Sequence, residues 1–471
     1  MLLKERHRLV FIKKYLNCPF KLIQRMKKTL LALTVTALFG LKASAQEPYT
    51  LQVYDEAVYY GMYEGTVNEP LPANAIRHSN SSYGVKLTEE QLASFGNKLT
   101  MNVVVGALCD NYDRIANVNL AFVPKGATSY VYNQVNRIEI GRFITPFMNK
   151  NVTPDEVPYT WEVDNLTQIF HDPAITAEYD LWVELEIYGY QGAAVTEIPG
   201  CAGRNDVFRG SLEFVSSTNT ALTTGENHFA PLSFKYELKN YTLDGTDVLG
   251  ETTKSFTFTL DEPVADAKFY VITSNHGSNS GGEEYIRRNH FIYLDDVLSF
   301  MYKPGGISCE PFRQYNTQGN GIYGASPQSA LQWASFSNWC PGAKIPTRVV
   351  ELGDLEAGEH TFTIKVPDAV FADGQGYFPT SAYMQAYEVT LGTDTFDKKA
   401  FTVSPNPVND IATITTNGQN VKTVSVVNTL GQTVLTGSIE SVDLSALQSG
   451  IYMIKVDFTN NTSAVQKIVK R

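Results

Sequence analysis

Residues 179–190 read Tyr-Asp-Leu-Trp-Val-Glu-Leu-Glu-Ile-Tyr-Gly-Tyr, and this stretch shows the pattern on which the fold prediction rests. Apolar and polar side chains alternate along it, which is the period-two pattern of a half-buried β-strand. The same alternation recurs at residues 117–123, 255–260, 288–294 and 360–366. We therefore predict antiparallel strands arranged in sandwich or jelly-roll sheets.

The composition of the chain also favours an all-β protein. Aromatic residues make up 12% of the sequence and charged residues only 18%, while 34 Gly and 21 Pro supply many turns. Residues 88–95 are the one stretch that indicates a short helix, with Thr88 as a candidate N-cap and Glu90 in the first turn. At 471 residues the chain exceeds one ordinary domain, so we expect two or three.

The charge balance excludes some classes of partner. The chain has 38 Lys and Arg against 49 Asp and Glu, which gives a net charge of −11. Residues 1–45 hold ten of the basic residues and one acid, so the remainder carries 28 − 48 = −20. Such a chain lacks the positive field that would attract nucleic acid or anionic lipid. We predict no nucleic-acid partner and favour neutral or cationic ligands.

The N-terminus has the order of a signal peptide. Lys27-Lys28 precede an apolar run at residues 29–41, and Ala43-Ser44-Ala45 follow it. The apolar run is too short for a bilayer span, which needs about 20 residues. We predict that residues 1–45 are an extension and signal peptide removed on export to the periplasm, with the true start at Met26.

The cysteines left after this cleavage form an even set in an exported chain, where disulfides persist. Cys309 and Cys340 flank a loop rich in Gly, Asn, Ser and Gln, and closing it contributes roughly 3 to 4 kcal/mol in the chain-entropy model. We predict this pair first. Cys109 and Cys201 then either pair with each other or stay as free buried thiols.

The C-terminal residues form a separate module. The polar run at residues 216–226 reads as a linker between two β units, and a second break falls at residues 392–399. Residues 401–471 resemble the type IX secretion C-terminal sorting domain. The features that carry the resemblance are Pro405-Asn406-Pro407, strands at residues 412–416, 423–428 and 432–435, Gly450-Ile451-Tyr452 and terminal Lys470-Arg471. It implies export by the outer-membrane secretion machinery, then release or attachment at the cell surface. The alternative is an immunoglobulin-like appendage that binds sugar or a partner.

Carboxylates are the strongest candidates for chemistry. Metal and nucleotide signatures are absent, and the histidines are scattered singly, so we predict no metal and no cofactor. A lone His276 or His290 is more often a structural hydrogen-bonding group than a ligand. Glu184 and Glu186 lie on one face of a strand, about 6.6 Å apart. That face is either solvated or a sugar-binding cleft.

Two motifs resemble the peptide-N-glycosidase F family. They are Cys-Asp-Asn-Tyr-Asp-Arg-Ile-Ala-Asn-Val at residues 109–118 and Glu-Ile-Gly-Arg-Phe-Ile-Thr-Pro-Phe at residues 139–147. The likeness continues at residues 284–290, 338–342 and 346–348, so that it covers about residues 50–392. Order and spacing match in both cases, which makes the resemblance specific.

The resemblance implies the fold, the reaction and the site. Members have two packed antiparallel jelly rolls with a cleft between them, here expected at residues 46–217 and 218–392, followed by a linker at 393–400 and a small β-sandwich module at 401–471. They hydrolyse the amide between the innermost N-acetylglucosamine and asparagine of N-linked glycoproteins or glycopeptides, and we expect a monomer. The implied catalytic residues are Asp113, Glu184 and Glu284, and the implied substrate-binding residues are Arg114, Trp182, Glu186, Tyr285, Arg288 and Trp339.

Roles follow from the chemistry of amide hydrolysis, which needs a base for water and a proton donor for the leaving nitrogen. Asp113 beside Arg114 is expected to stay ionised as the base, Glu284 to hold water or share the proton, and Glu184 to bind the first sugar or the amide. The sequence departs from the family where Glu186 and Tyr285 replace tryptophans. The alternative function is therefore a non-catalytic surface protein that binds glycans on the same fold.

Overall fold

A computed structural model describes residues 48–471 apart from residues 221–226, 389–400, 417–419, 429–431, 438–440 and 460–462. The structure is nearly all-β, with antiparallel sheets as the alternation predicts. The predicted signal peptide and the break at residues 392–399 lie outside the described residues. The predicted linker at residues 216–226 does so in part, and its first two residues end a strand.

Each predicted strand is present in the structure. In chain order the strands are β1 (Tyr49–Tyr60), β2 (Ala75–Ser79), β3 (Ser82–Lys86), β4 (Lys98–Ala107), β5 (Ile115–Pro124), β6 (Asn136–Ile144), β7 (Glu156–Glu162), β8 (Tyr179–Ile187), β9 (Asp206–Ser217), β10 (Asn227–Leu238), β11 (Thr253–Leu260), β12 (Val264–Thr273), β13 (His290–Leu294), β14 (Val297–Tyr302), β15 (Lys344–Ile345), β16 (Arg348–Leu355), β17 (Gly358–Lys365), β18 (Phe378–Glu388), β19 (Phe401–Ser404), β20 (Ile411–Thr416), β21 (Val421–Val427), β22 (Thr433–Gly437), β23 (Ser441–Asp443), β24 (Gly450–Phe458) and β25 (Ser463–Lys470).

Helices are short and lie between strands. The α-helices are Glu89–Ser94, Leu166–His171, Pro173–Glu178, Ala194–Glu197 and Ala330–Trp333, and the 3₁₀ turns are Tyr132–Gln134, Glu310–Tyr315 and Ala372–Gly374. The prediction for the first helix is confirmed. Thr88 caps Glu89–Ser94 through a reciprocal pair of hydrogen bonds with Gln91, and Glu90 lies in the first turn.

Two packed jelly rolls and a smaller sandwich account for the sheets. In the first jelly roll, a sheet ordered β1-β9-β4-β7 faces one ordered β15-β6-β5-β8-β3-β2, and in the second, β10-β18-β12-β16 faces β11-β17-β13-β14. The C-terminal module has sheets β19-β20-β23 and β22-β21-β24-β25 around its own apolar core. This architecture is the predicted fold class.

Strand β8 shows how the alternation builds the first core. Leu181, Val183 and Leu185 are fully buried among the apolar residues between the two sheets of the first jelly roll. Each such side chain contributes roughly 1.5 to 3 kcal/mol relative to full exposure. The opposite face carries the acids, and the interpretation of that face as solvated is wrong. Glu184 and Glu186 are only 0% and 1% exposed, since residues 125–137 and strand β10 cover them.

A buried ion pair joins the two jelly rolls. Arg142 on β6 is fully buried and binds both carboxylate oxygens of Glu139, at 2.7 and 2.6 Å. The same guanidinium donates to Ser274 Oγ at 2.9 Å and to the Pro379 carbonyl at 2.6 Å, both in the second jelly roll. These bonds satisfy a charge that would be costly to bury unpaired, and they fix one jelly roll against the other.

A strand from the second half of the chain completes a sheet of the first. Strand β15 pairs antiparallel with β6, with Lys344 opposite Phe143 and Ile345 opposite Arg142. Next to it, the Ile144 backbone N–H donates to the Ala343 carbonyl, and the Gly342 N–H donates to the Ile144 carbonyl, each at 3.0 Å. The long segment before β15 is thereby held against the end of β6.

Both candidate disulfides are formed. Cys309 and Cys340 are bonded with a Cα–Cα distance of 5.4 Å, as the loop composition predicts. Cys109 and Cys201 are bonded as well, with a Cα–Cα distance of 5.5 Å, so the alternative of free thiols does not hold. The two bridges lie in loops that approach the boundary between the jelly rolls. No helix among the described residues is long and apolar enough to cross a bilayer.

Candidate active site

A cavity of about 1020 Å³ opens at the boundary between the two jelly rolls. The first jelly roll contributes Asp113 and Arg114 to its lining, and the second contributes Glu284, Tyr285 and Trp339. Five of the nine residues implied by the resemblance are thus brought together from distant parts of the chain. A concave, partly apolar space with a few converging polar groups is the usual form of a binding site.

The loop between β4 and β5 positions Asp113. The Cys109–Cys201 bridge closes its start, and the buried Asp110 organises its end. Asp110 accepts from Arg114 Nε at 2.6 Å and Nη2 at 3.2 Å, and from the Tyr190 backbone at 2.7 Å. Arg114 and Thr145 also exchange backbone and side-chain hydrogen bonds of 2.8 Å. Asp113 is therefore held between two anchored neighbours and is itself left half-buried at the cavity wall.

The segment between β12 and β13 positions Glu284. Asn338 donates through Nδ2 to the carbonyls of Glu283 and Glu284, each at 2.7 Å, and its backbone N–H bonds to Glu284 at 3.2 Å. Trp339 donates from Nε1 to the carbonyl of Asn275 at 3.0 Å. The disulfide-closed loop that ends at Cys340 thereby holds the backbone under Glu284, while the Glu284 side chain faces the cavity.

The protonation of Asp113 differs from the sequence expectation. Burial raises the pKa of Asp113, and the nearby charge of Glu284 raises it further, to about 7. Arg114 lowers the pKa, but its guanidinium is engaged with Asp110 and does not outweigh these two effects. Arg114 therefore does not keep the pKa of Asp113 low, contrary to the expectation from the sequence. Asp113 can instead exchange its proton near neutrality.

Glu284 and Tyr285 complete this group. Burial raises the pKa of Glu284, although hydrogen bonds from Tyr285 and the Gly277 backbone oppose the shift. Burial, Glu284 and Asp113 together raise the pKa of Tyr285 to about 12, so its hydroxyl keeps its proton. Two carboxyl groups that both resist ionisation in one cavity are suited to pass a proton between them, as acid–base catalysis requires.

Glu184 and Trp182 lie away from the cavity. Tyr188, just after β8, lines the cavity. Glu186, Glu184 and Trp182 lie on the same face of the chain, each about 6.6 Å further from Tyr188 than the one before. Glu184 binds Arg137 at 3.1 Å, Tyr130 Oη at 2.7 Å and Asn119 Nδ2 at 3.1 Å, which satisfies both of its oxygens. Trp182 packs with buried apolar residues. The role implied for these two residues does not agree with where they lie.

Glu186 borders the cavity through its partners. Lys235 on β10 crosses from the second jelly roll to form an ion pair with Glu186, and Asn117 Nδ2 donates to the same oxygen at 2.9 Å. Burial would raise the pKa of Glu186, but Lys235 outweighs it and lowers the pKa to about 2. Lys235, Asn117 and Tyr188 line the cavity. Glu186 is thus a fixed negative charge directly behind the wall.

Arg288 is also absent from the cavity wall. Its guanidinium makes two hydrogen bonds of 2.9 Å to Glu283, whose carboxylate is fully buried. Glu283 accepts in addition from the Val370 backbone at 2.7 Å. The Arg288–Glu283 pair therefore braces the segment that carries Glu284 and does not face the cavity.

Several lining residues were not identified from the sequence. They include Met62, Tyr63, Ser79, Ser81, Tyr188, Lys235, Glu237, His276 and Tyr377. Tyr188 could have been found, because it continues the same-face series of Glu184 and Glu186. Lys235 could not, because its backbone has a positive φ of 45° at an irregularity in the β10–β18 pairing, which no local pattern indicates. Among the described residues, no group of three His, Cys, Asp or Glu side chains is arranged to hold a metal ion.

Three family models match the chain. The model described as peptide-N-glycosidase F, N terminal, matches residues 50–196, and the one described as peptide-N-glycosidase F, C terminal, matches residues 246–385. A third, the secretion system C-terminal sorting domain, matches residues 402–471. The first two ranges contain Asp113 and Glu284 respectively.

Individual proteins give a weaker likeness. The chain is 25% identical over 266 residues to peptide-N(4)-(N-acetyl-beta-D-glucosaminyl)asparagine amidase F of Elizabethkingia miricola, a match that covers 53% of this chain and 61% of that protein. The solved structure of PNGF-II superposes with a TM-score of 0.54 at 18% identity, over 73% of this chain and 65% of that one. A second crystal form of PNGF-II gives a TM-score of 0.52, over 75% and 68% of the two chains. The structural likeness shows the fold.

Proposed function

Because the chain carries both domains of the peptide-N-glycosidase F family ahead of a secretion-system sorting domain, we propose that it is an exported peptide-N-glycosidase. Its substrate would be an N-linked glycopeptide or glycoprotein, and its reaction the hydrolysis of the amide between asparagine and the innermost N-acetylglucosamine. The observation that carries the proposal is the position of Asp113 and Glu284. One carboxyl group from each jelly roll faces the same cavity, and both have a raised pKa.

The proposed mechanism uses these two groups in turn. Asp113 in its ionised form takes a proton from water as the water oxygen bonds to the side-chain carbonyl carbon of asparagine. The proton that Asp113 takes up then passes through Glu284 to the amide nitrogen as the carbon–nitrogen bond breaks. The products are aspartate and a glycosylamine, which later loses ammonia in water. Repulsion from the Glu284 carboxylate raises the pKa of Asp113 and so favours Asp113 as the group that takes the proton from water.

The neighbouring groups would position the substrate. Trp339 and Tyr285 offer aromatic surface, and the Tyr285 hydroxyl, which keeps its proton, can donate to an oxygen of the sugar or the amide. Glu184 has no part in this scheme because its oxygens are satisfied within the sheet. Glu186 would act from behind the wall by holding Lys235, Asn117 and Tyr188 in place.

The first test is incubation of the purified protein with a defined N-glycopeptide, read by mass spectrometry. We expect the glycan to leave whole and the peptide to carry aspartate in place of asparagine. Binding of the glycopeptide without any change in mass would favour the alternative, a non-catalytic surface protein that binds glycans. The raised pKa values of Asp113 and Glu284 favour the enzyme, since acid–base catalysis uses carboxyl groups whose pKa values are shifted, whereas glycan binding does not need them.

The C-terminal domain would act as an address and take no part in catalysis. The sorting-domain match begins at residue 402, after the last residue that lines the cavity, Pro379. We propose export through the periplasm and the outer membrane to the cell surface or the medium. A chain ending at residue 388 is expected to keep its amidase activity and to remain in the periplasm of the native host. A folded but inactive truncation, or one that reaches the medium normally, would contradict this division.

A further inference from the structure

We propose that Met62 and Tyr63 form a second sugar subsite of the cavity, at which the ring of Tyr63 stacks on a sugar beyond the innermost one. The inference rests on the proposed function and adds the part of the substrate that the cavity recognises. Both residues line the cavity and are exposed, Met62 by 38% and Tyr63 by 73%. Large apolar side chains so exposed at the mouth of a cavity are candidates for ligand contact.

The loop that carries these residues is held firmly although its side chains are free. Asn80 is buried and donates through Nδ2 to the carbonyls of Gly61 at 2.9 Å and Gly65 at 3.1 Å, while its Oδ1 accepts from the Val67 backbone at 3.0 Å. The Met62 backbone N–H bonds to the Gly189 carbonyl at 2.9 Å. A fixed backbone below an exposed ring reduces the entropy lost when that ring orders on a ligand.

A second feature is the close packing of the loop at Gly61. At Gly61 an added Cβ would lie 2.4 Å from Gln191 Oε1 and 2.6 Å from Asn205 Oδ1. The Asn205 side chain and backbone both accept from the Gly61 N–H, at 3.0 and 2.9 Å. Gln191 in turn donates to Glu64 Oε1 at 2.8 Å. The loop therefore packs directly on the segment that follows β8.

A short series of contacts connects Tyr63 with Asp113. The rings of Tyr63 and Tyr190 meet edge to face with centroids 5.3 Å apart. The Tyr190 carbonyl accepts from Arg114 Nη2 at 3.3 Å, and Arg114 follows Asp113 in the chain. A glycan whose innermost linkage lies at Asp113 would thus meet the Tyr63 ring within the same cavity. At about 1020 Å³ the cavity reaches the upper end of the range of about 300 to 1,000 Å³ usual for ligand pockets, so it has room for more than one sugar.

The polar part of the lining suits a glycan. The lining that holds Tyr63 also includes Ser79 and Ser81, which flank the Asn80 that anchors the Tyr63 loop, and the Ser81 hydroxyl has no hydrogen-bond partner among the described residues. Other lining residues are apolar, among them Ile322 and Phe336, which pack against the core of the disulfide-closed loop. Hydroxyls beside an aromatic ring suit the alternating polar and apolar surface of a sugar.

The test compares two substrates on one peptide, carrying either a single N-acetylglucosamine or the pentasaccharide core of an N-glycan. In Tyr63→Ala we expect kcat/KM for the pentasaccharide substrate to fall about tenfold, which is the loss of one good aromatic contact. The single-sugar substrate should change less than about twofold, because it does not reach the ring. Tyr63→Phe, which keeps the ring, is the matched control and should resemble the wild type.

A binding measurement decides the inference even if neither glycopeptide is hydrolysed. Titration with the free core pentasaccharide should show binding that is about tenfold weaker in Tyr63→Ala and unchanged in Tyr63→Phe. An equal loss on both substrates, an unchanged preference, or equal pentasaccharide binding by the wild type and Tyr63→Ala would overturn the subsite. Absence of hydrolysis together with the expected difference in binding would count against the amidase and support the subsite.

Discussion

Asp113→Asn is expected to lower turnover of an N-glycopeptide by about 10²- to 10⁴-fold, which is the usual effect of removing an acid–base group. The amide keeps the shape of the side chain and cannot take a proton from water. The measurement is kcat on a defined glycopeptide with the substrate at saturation. Substrate binding should change little, because the lost group acts on the reacting water.

The pH profile gives this prediction its sign. Since the pKa of Asp113 is raised to about 7, the ionised base is lost as the pH falls through that value. We expect kcat/KM of the wild type to decrease about tenfold per pH unit below it, and this limb to be absent from the residual rate of Asp113→Asn. Because the pKa of Asp113 is higher in the folded than in the unfolded protein, ionisation of this group lowers the free energy of unfolding. This stability is lost as the pH rises from the unfolded pKa of 3.8 through about 7. The variant should therefore be no less stable than the wild type at pH 8.

A folded Asp113→Asn protein with full activity would remove Asp113 from the mechanism. Glu184→Gln is the matched control, because it removes a carboxylate that lies outside the cavity. Its side chain is buried and satisfied within the sheet, so its effect should appear as lower stability more than as a change in the pH limb.

Arg142→Met is expected to lower the free energy of unfolding by about 3–5 kcal/mol, the range for breaking a buried ion pair. The substitution leaves the Glu139 carboxylate buried without its cation and removes the bonds to Ser274 and Pro379 in the second jelly roll. Chemical denaturation with two spectroscopic probes would measure it. Activity should fall as well, because Asp113 and Glu284 belong to different jelly rolls.

Arg204→Met is the matched control for loss of an arginine. Arg204 is 44% exposed and pairs with Asp206 on the surface, so its loss should cost less than about 1 kcal/mol. Restoring part of the stability with the double variant Arg142→Met and Glu139→Gln would show that the buried charge is the cause. Equal, small effects of Arg142→Met and Arg204→Met would mean that this network does not hold the jelly rolls together.

Local pattern was sufficient for the strands and for one disulfide. The alternation at residues 179–190 places Leu181, Val183 and Leu185 in the core, and the loop composition between Cys309 and Cys340 predicts the bridge that is present. These features depend on neighbours in sequence or on a closed loop. The strands with clear alternation could therefore be predicted without knowledge of the tertiary fold, whereas the four α-helices after Glu89–Ser94 were not identified.

The site depended on long-range packing that no local pattern carries. The face of β8 with Glu184 and Glu186 could be identified, but not that Arg137 and Lys235 would bury it. The effect of Arg114 on the pKa of Asp113 was overestimated, because only the three-dimensional structure shows that the Arg114 guanidinium binds Asp110. The pairing of β15 with β6, which joins the two halves of the cavity, likewise follows from the packed jelly rolls.

Hydrolysis of an N-glycopeptide in water labelled with ¹⁸O tests the central claim most directly, because it shows which bond is broken. The mechanism predicts one ¹⁸O atom in the side chain of the aspartate formed at the glycosylated position, and a glycan that leaves intact as a glycosylamine, which takes up ¹⁸O only as it later loses ammonia. With Asp113→Asn the label should enter the peptide about 10²- to 10⁴-fold more slowly. A peptide that keeps its asparagine or one sugar and gains no ¹⁸O would contradict amide hydrolysis at this site.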